Sequence, residues 1–200
     1  MKLVLASNNK HKAEEYSAMF KADNGIDITV LLPKDLLHEE IEIEETGLTF
    51  EENASIKARH IFELAKLPCF SDDSGLEVKA LGNKPGLNSA RYSGSHGDDK
   101  ANRKKVISEL IDLNTDDWSA RFRCVICFYD GLNEYFFEGI CTGKLISEEK
   151  GTSGFGYDPI FIPDGYNITF AEMPSKQKNS ISHRANAVDK FQQFLKEYNG

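Results

Sequence analysis

Lys2-Leu3-Val4-Leu5-Ala6-Ser7-Asn8-Asn9-Lys10-His11-Lys12-Ala13 is the stretch whose reading decides the fold. The apolar run ends at Ala6, too short for a helix and right for a strand. Ser7 to Lys10 is a polar turn. Ala13, Tyr16, Met19 and Phe20 then recur at helical spacing. Strand, polar loop, helix is the opening of an α/β domain. The loop is also the first candidate site. Backbone N–H groups and the positive end of the helix dipole point into it, which suits a phosphate. Lys12 adds full charge, and Ser7 and Asn9 add hydrogen bonds. The G-x-x-x-x-G-K-[ST] pattern of a P-loop is absent.

The same alternation continues outward. Residues 26–32 read as a second strand, and an acidic stretch follows at 39–45. Thr49-Phe50-Glu51-Glu52 fits a capping box, with Thr49 as N-cap and Glu52 at N3. The helix it starts buries Ala54, Ala58, Ile61, Phe62 and Ala65, while Asn53, Lys57 and His60 share another edge. Cys69-Phe70-Ser71 reads as a strand ending in Asp72-Asp73-Ser74-Gly75. Residues 76–81 and 89–92 read as extended arms around a Gly/Pro turn. A helix is expected near 98–113, and Asp130-Gly131 signals a hairpin between two long strands. Residues 151–159 are too glycine-rich for a helix and form a shaped loop. Residues 160–162 make a strand, and a helix over about 182–198 closes the chain. With no repeat and no linker, the expectation is one domain around a twisted sheet.

Composition narrows the function classes. The 200 residues are 40% hydrophobic and 28% charged, an ordinary globular balance. The longest apolar run, 124–129, falls far short of the roughly 20 residues of a membrane helix. The start of the chain lacks a secretory pattern. Lys and Arg total 24 against 32 Asp and Glu, for a formal charge of −8. That balance argues against nucleic-acid binding, which needs basic surface to displace counterions. Cys124 and Cys127 form a C-x-x-C, but in a strand residues three apart face opposite sides. They read as structural thiols, which points to a reducing, cytoplasmic setting.

Three more segments carry candidate chemistry. Glu44, Glu45, Asp72 and Asp73 are hard oxygen donors suited to Mg²⁺, and a carboxylate can also take a proton from attacking water. Glycines at 151–156 let backbone approach a ligand, and Phe155 and Tyr157 are of a type that stacks on a planar base. Lys178, His183 and Arg184 add donors near the last helix, Arg184 as a planar fork.

Six blocks in order, LVLASNNKHK, EETGLTFEENASIKA, FSDDSGLEV, PGLNSARYSG, GTSGFGYDPIF and KNSISHRANA, resemble the inosine triphosphate pyrophosphatase family over nearly the whole chain. The resemblance implies an α/β fold, elongated and two-lobed, around a long twisted mixed sheet flanked by helices. It implies one domain over 1–200 with the active-site cleft between the lobes, a homodimer, and Mg²⁺-dependent hydrolysis of ITP, dITP or XTP to the monophosphate and pyrophosphate. It places phosphate contacts on Ser7, Asn8, Asn9, Lys10, His11 and Lys12, with Lys57 and Lys178 beside them. Glu44 and Asp73 would contact metal, and Asp73 would accept the proton. Ser74 would touch the nucleotide, Phe155, Gly156, Tyr157 and Asp158 would hold sugar and base, and His183 and Arg184 would meet the purine edge. The family commonly has threonine, glycine, asparagine where this chain has Ser7-Asn8-Asn9. Two other readings stand beside it: a related pyrophosphatase for modified pyrimidine nucleotides, and a nucleotide-binding regulator without catalysis.

Overall fold

The computed structural model describes residues 1–22, 28–37 and 41–198. Residues 26–27 of the expected second strand and 39–40 of the acidic stretch lie outside the described residues, as does the side chain of His11. The elements are β1 (Lys2–Leu5), α1 (Lys10–Ala22), β2 (Thr29–Leu31), α2 (Pro33–Leu37), α3 (Phe50–Ala65), β3 (Cys69–Val78), β4 (Lys84–Pro85), α4 (Asp99–Asp112), β5 (Ser119–Tyr129), β6 (Glu134–Leu145), β7 (Phe161–Pro163), α5 (Ser175–Ile181) and α6 (His183–Glu197). The strands form one mixed sheet in the order β2-β1-β3-β5-β6-β7, with β4 paired to β3. β1 runs parallel to β2 and β3, with Val4 opposite Cys69 and Leu5 opposite Phe70. β4 is antiparallel to β3, and β7 to β6.

The chain divides into two compact units. The first is Met1–Asp73, Cys124–Gly139 and Arg184–Gly200, and the second is Ser74–Arg123 and Ile140–His183. The chain passes from one to the other inside β3, β5 and β6 and at the start of α6, so no linker separates them.

In the first unit the period-2 alternation of strands sorts the core into two faces. Leu3, Leu5, Phe70, Cys124, Ile126 and Phe128 pack with Tyr16, Met19 and Phe20 of α1 and Val188, Phe191 and Leu195 of α6. Val4, Ala6 and Cys69 point the other way, onto Ile61 of α3. Cys127 and Tyr129 face α3 as well, packing with Ala54 and Ala58. The C-x-x-C sulfurs therefore diverge, and all four cysteines are free and buried.

The second unit packs Leu76, Val78, Phe122, Phe161 and Phe170 with Val106 and Leu110 of α4. Phe122 stacks edge-on against Phe161 at 4.7 Å between centroids.

One local expectation is corrected. Residues 79–81 and 86–91 are 3-10 turns, not parts of extended arms. The Ser89 hydroxyl donates to the Gly86 carbonyl and accepts from the Leu76 N–H, which curls the segment back onto β3. The closing helix expected over about 182–198 is α6, and the short helix α5 precedes it, ending at Ser182, where the backbone is extended with ψ 161°. Among the described residues no helix is long and apolar enough to cross a membrane.

Candidate functional site

The loop after β1 is built from its own side chains. Ser7 Oγ accepts from the Asn9 N–H, and Asn9 Oδ1 accepts from the Lys12 N–H as the N-cap of α1. Asn8 donates to the Ile41 carbonyl at 2.9 Å. Positive φ at non-glycine residues falls on Lys66, Asn83 and Asn114 and not on Asn8, so asparagine sits here without backbone strain. Asn8, Asn9 and Lys10 are exposed.

Lys12 reaches from this loop to β3, where its Nζ lies 3.0 Å from Asp72 Oδ1. Asp72 also accepts from Arg184 Nη2 at 3.4 Å, and Arg184 Nη1 donates to Glu15. Burial alone would raise the Asp72 pKa. The cations Lys12, Arg184 and Lys57 more than offset this and hold the carboxyl well below the usual carboxylate range. Arg184 is only 1% exposed. Its fork bonds Asp72 and Glu15.

Asp73 points to the opposite face of β3, toward α3. Asn53 Nδ2 donates to its Oδ2 at 3.0 Å, and Lys57 Nζ lies 3.7 Å from its Oδ1. Lys57 also bonds Glu45 at 2.7 Å. Burial raises the Asp73 pKa and Glu45 adds to this, against the pull of Lys57. The Lys57 pKa is raised too: burial would lower it, but Asp73, Glu45 and Asp72 outweigh that. Asn53 additionally accepts from the Gly47 N–H at 2.8 Å, so one side chain ties the acidic segment to Asp73.

Between residues 41 and 48 half-buried and exposed positions alternate. Ile41, Ile43 and Glu45 fall on the inner set, and Glu44 is exposed. The carboxylate beside Lys57 and Asp73 is thus Glu45, while Glu44, the acid picked from the resemblance, faces outward. Among the described residues no group of three or more His, Cys, Asp and Glu side chains is gathered to hold a metal ion. Two carboxylates converging on one ammonium do fit Mg²⁺, which takes one or two carboxylates and completes its shell with phosphates and waters.

A separate cluster lies in the second unit, on the 151–158 loop. Asp158 Oδ2 accepts from the Phe155 N–H at 2.9 Å and from Lys178 Nζ at 2.8 Å. Gly154 has φ +77°, and a Cβ there would lie 2.0 Å from Asp158 Oδ2, so the turn closes only around glycine. Lys178 Nζ also sits 5.0 Å from the Phe155 ring centroid. Phe155 is half-buried. Tyr157, in contrast, is 4% exposed in the core, with its hydroxyl donating to the Ser89 carbonyl. Its ring fills space and offers no stacking face. His183 is buried and stacks on Phe122 at 4.7 Å and 14°. Ser74 is half-buried on β3.

Sequence reasoning named the loop, both aspartates and the lysines, but not Asn53 and Glu15, which bond Asp73 and Arg184. Asn53 carried a signal in its i, i+4 spacing from Lys57. Glu15 lies 169 positions from Arg184, and nothing local pairs them.

The Ham1 family profile matches residues 3–194. A "dITP/XTP pyrophosphatase" of Oceanobacillus iheyensis is 45% identical over 195 residues, spanning 97% of this chain and 98% of that protein. A solved HAM1 protein from Coxiella burnetii superposes with TM-score 0.88 at 36% identity, covering 99% of this chain and all of that one. The Staphylococcus aureus Ham1 structure gives 0.85 at 37% identity over 98% and 99% of the two chains. Profile, sequence and fold agree over nearly the full length, and the chain belongs to the Ham1 family.

Proposed function

We propose that this chain is a nucleoside triphosphate pyrophosphatase that hydrolyses non-standard purine nucleotides, dITP, XTP and ITP, to the monophosphate and pyrophosphate. The observation that carries the chemistry is Asp73: a buried carboxylate held by Asn53 and flanked by Lys57 and Glu45. A carboxylate fixed in this way is placed to take a proton from attacking water.

Water attacks the α-phosphorus, its proton passes to Asp73, and pyrophosphate leaves with the electron pair of the broken anhydride bond. Lys12 and Lys57 supply positive charge to the triphosphate and to the leaving group. The loop of Ser7, Asn8, Asn9, Lys10 and His11 takes phosphate oxygens at the α1 N-terminus. Asp72 is the fixed counter-charge that keeps Lys12 and Arg184 in place. Glu45 and Asp73 would hold Mg²⁺, which would screen the phosphates and polarise them for attack.

Phe155 offers the half-buried ring for base stacking, and Ser74, Gly156 and Asp158 shape the surroundings of the sugar. Lys178, lying against that ring, and Arg184 are the donors we assign to the purine 6-oxo group. An amino group at that position would present a donor to a donor, which disfavours adenine nucleotides. Sites built around such a bond discriminate by roughly 10⁴–10⁵. His183 supports the loop through its stack on Phe122.

We further propose a homodimer, on the family resemblance, and a cytoplasmic location, on the free buried thiols. The deciding experiment incubates purified protein with Mg²⁺ and a panel of dITP, XTP, dATP, dGTP, dTTP and UTP, and quantifies pyrophosphate and orthophosphate separately. Pyrophosphate from dITP and XTP far above the rest is expected. Preference for dTTP or UTP would favour the pyrimidine reading, and tight dITP binding without pyrophosphate the regulator. Sedimentation of the same protein checks the dimer.

A further inference from the structure

The 151–158 loop is gripped from outside by a helix that none of its own residues explains. Gly156 lies between the half-buried Phe155 and the core residue Tyr157, with φ +60°. Its N–H donates to Asp99 Oδ2 at 2.7 Å, and its carbonyl accepts from Arg103 Nη1 at 2.7 Å. Asp99 and Arg103 are four residues apart, one above the other on the first turns of α4. Arg103 Nη2 further bonds Glu149 at 2.9 Å, just ahead of the loop. The guanidinium thus braces the start of the loop and its middle at once. α4 itself is fixed at this end: Asp98 caps it by accepting from the Ala101 N–H, and Asn102 bonds the Ser93 N–H and the Ala90 carbonyl.

A glycine is the residue most free to change φ and ψ. Here both of its backbone polar groups are taken by side chains of one rigid helix, and the residue before it carries the ring proposed to stack on the base. Phe155 is joined to Asp158 by its N–H to Oδ2 and by its carbonyl from the Asp158 N–H, and rotation about Gly156 would break these bonds and move the ring from Lys178, which Asp158 holds. The clamp therefore fixes where the ring stands with respect to the Lys178 ammonium, and that spacing is what a donor-reading site must hold.

We infer that Asp99 and Arg103 are positioning residues for purine selection, acting through Gly156 and never touching substrate. The inference rests on the reading of this loop as the nucleoside-binding element.

The test compares wild type with Asp99→Ala, Asp99→Asn and Arg103→Met, measuring kcat and KM for dITP and for dATP and the thermal midpoint of each protein. Wild-type pyrophosphate release from dITP checks the functional reading by itself. If wild type releases none, that reading has failed, and the clamp with it. Given wild-type activity, Asp99→Ala and Arg103→Met should raise KM for dITP about tenfold, leave kcat within about twofold, and lower the dITP-over-dATP ratio of kcat/KM about tenfold. Asp99→Asn keeps an acceptor for the Gly156 N–H and should retain most of the ratio. A loss of folded protein scales both substrates equally and cannot move that ratio. An unchanged ratio in Asp99→Ala and Arg103→Met, whatever happens to kcat or the midpoint, overturns the proposal.

Discussion

A strand turns successive side chains to opposite faces, and on β3 this gives two adjacent carboxylates different chemistry. Asp72 faces Lys12 and Arg184 and is held ionised. Asp73 faces Asn53, Lys57 and Glu45, and its pKa moves the other way. The two asparagine variants should therefore fail differently. Asp73→Asn keeps the Asn53 contact and should fold normally, with kcat for dITP down by about 10²–10⁴. Asp72→Asn takes from Lys12 and Arg184 the buried carboxylate they share, leaving Arg184 with Glu15 alone, a loss of about 3–5 kcal/mol of stability. Urea unfolding beside a pyrophosphate assay separates the two, and near-normal turnover of Asp73→Asn would remove it from the mechanism. The same alternation divides Glu44 from Glu45. Glu45→Gln should raise the Mg²⁺ concentration for half-maximal activity at least about tenfold, and Glu44→Gln should leave it near wild type. The reverse ranking in a metal titration would move the ligand to the exposed acid.

At the scale of elements, α3 shows what is local and what is not. Thr49 Oγ1 accepts from the Glu52 N–H at 3.1 Å, as its capping pattern predicts. Glu52 in turn accepts from the Leu48 N–H at 2.6 Å. Thr49→Ala should cost about 1 kcal/mol in chemical denaturation and leave KM for dITP unchanged. Asn53→Ala, on the same helix, should lower kcat as well, because it frees Asp73 from its orienting bond; equal kinetics for the two variants would argue against that role. The cap was legible because its partners lie within four residues, as were the strand–loop–helix opening and the Asp130 turn, where Oδ1 accepts from both the Leu132 and Asn133 N–H groups. The Ser89 curl was not, since it depends on a bond to Leu76, 13 residues away. The site divides on the same line. Residue types were readable in motifs, but the enclosure of Arg184 and the burial of Tyr157 come from distant packing.

Across the whole molecule, the four thiols set an alkaline limit. Burial pushes Cys69, Cys124, Cys127 and Cys141 each up to about 12, against about 8.5 in an unfolded chain. The native state keeps these protons where the unfolded state releases them. A raised folded-state value means the stabilisation is complete below about pH 8.5 and is lost as pH rises toward 12. Each thiol steepens the decline by about 1.4 kcal/mol per pH unit within that window. Unfolding free energy from guanidinium titrations should thus stay level near neutrality and fall above about pH 9. Tyrosines and lysines also titrate at the upper end, so the measurement needs a variant that isolates one thiol. Cys141→Ala does so in the second unit. Its unfolding free energy should start lower at pH 7 and then fall less steeply between pH 9 and 10.5, by about the share of one thiol. A slope identical to wild type would mean that the Cys141 proton is not what alkaline solution removes.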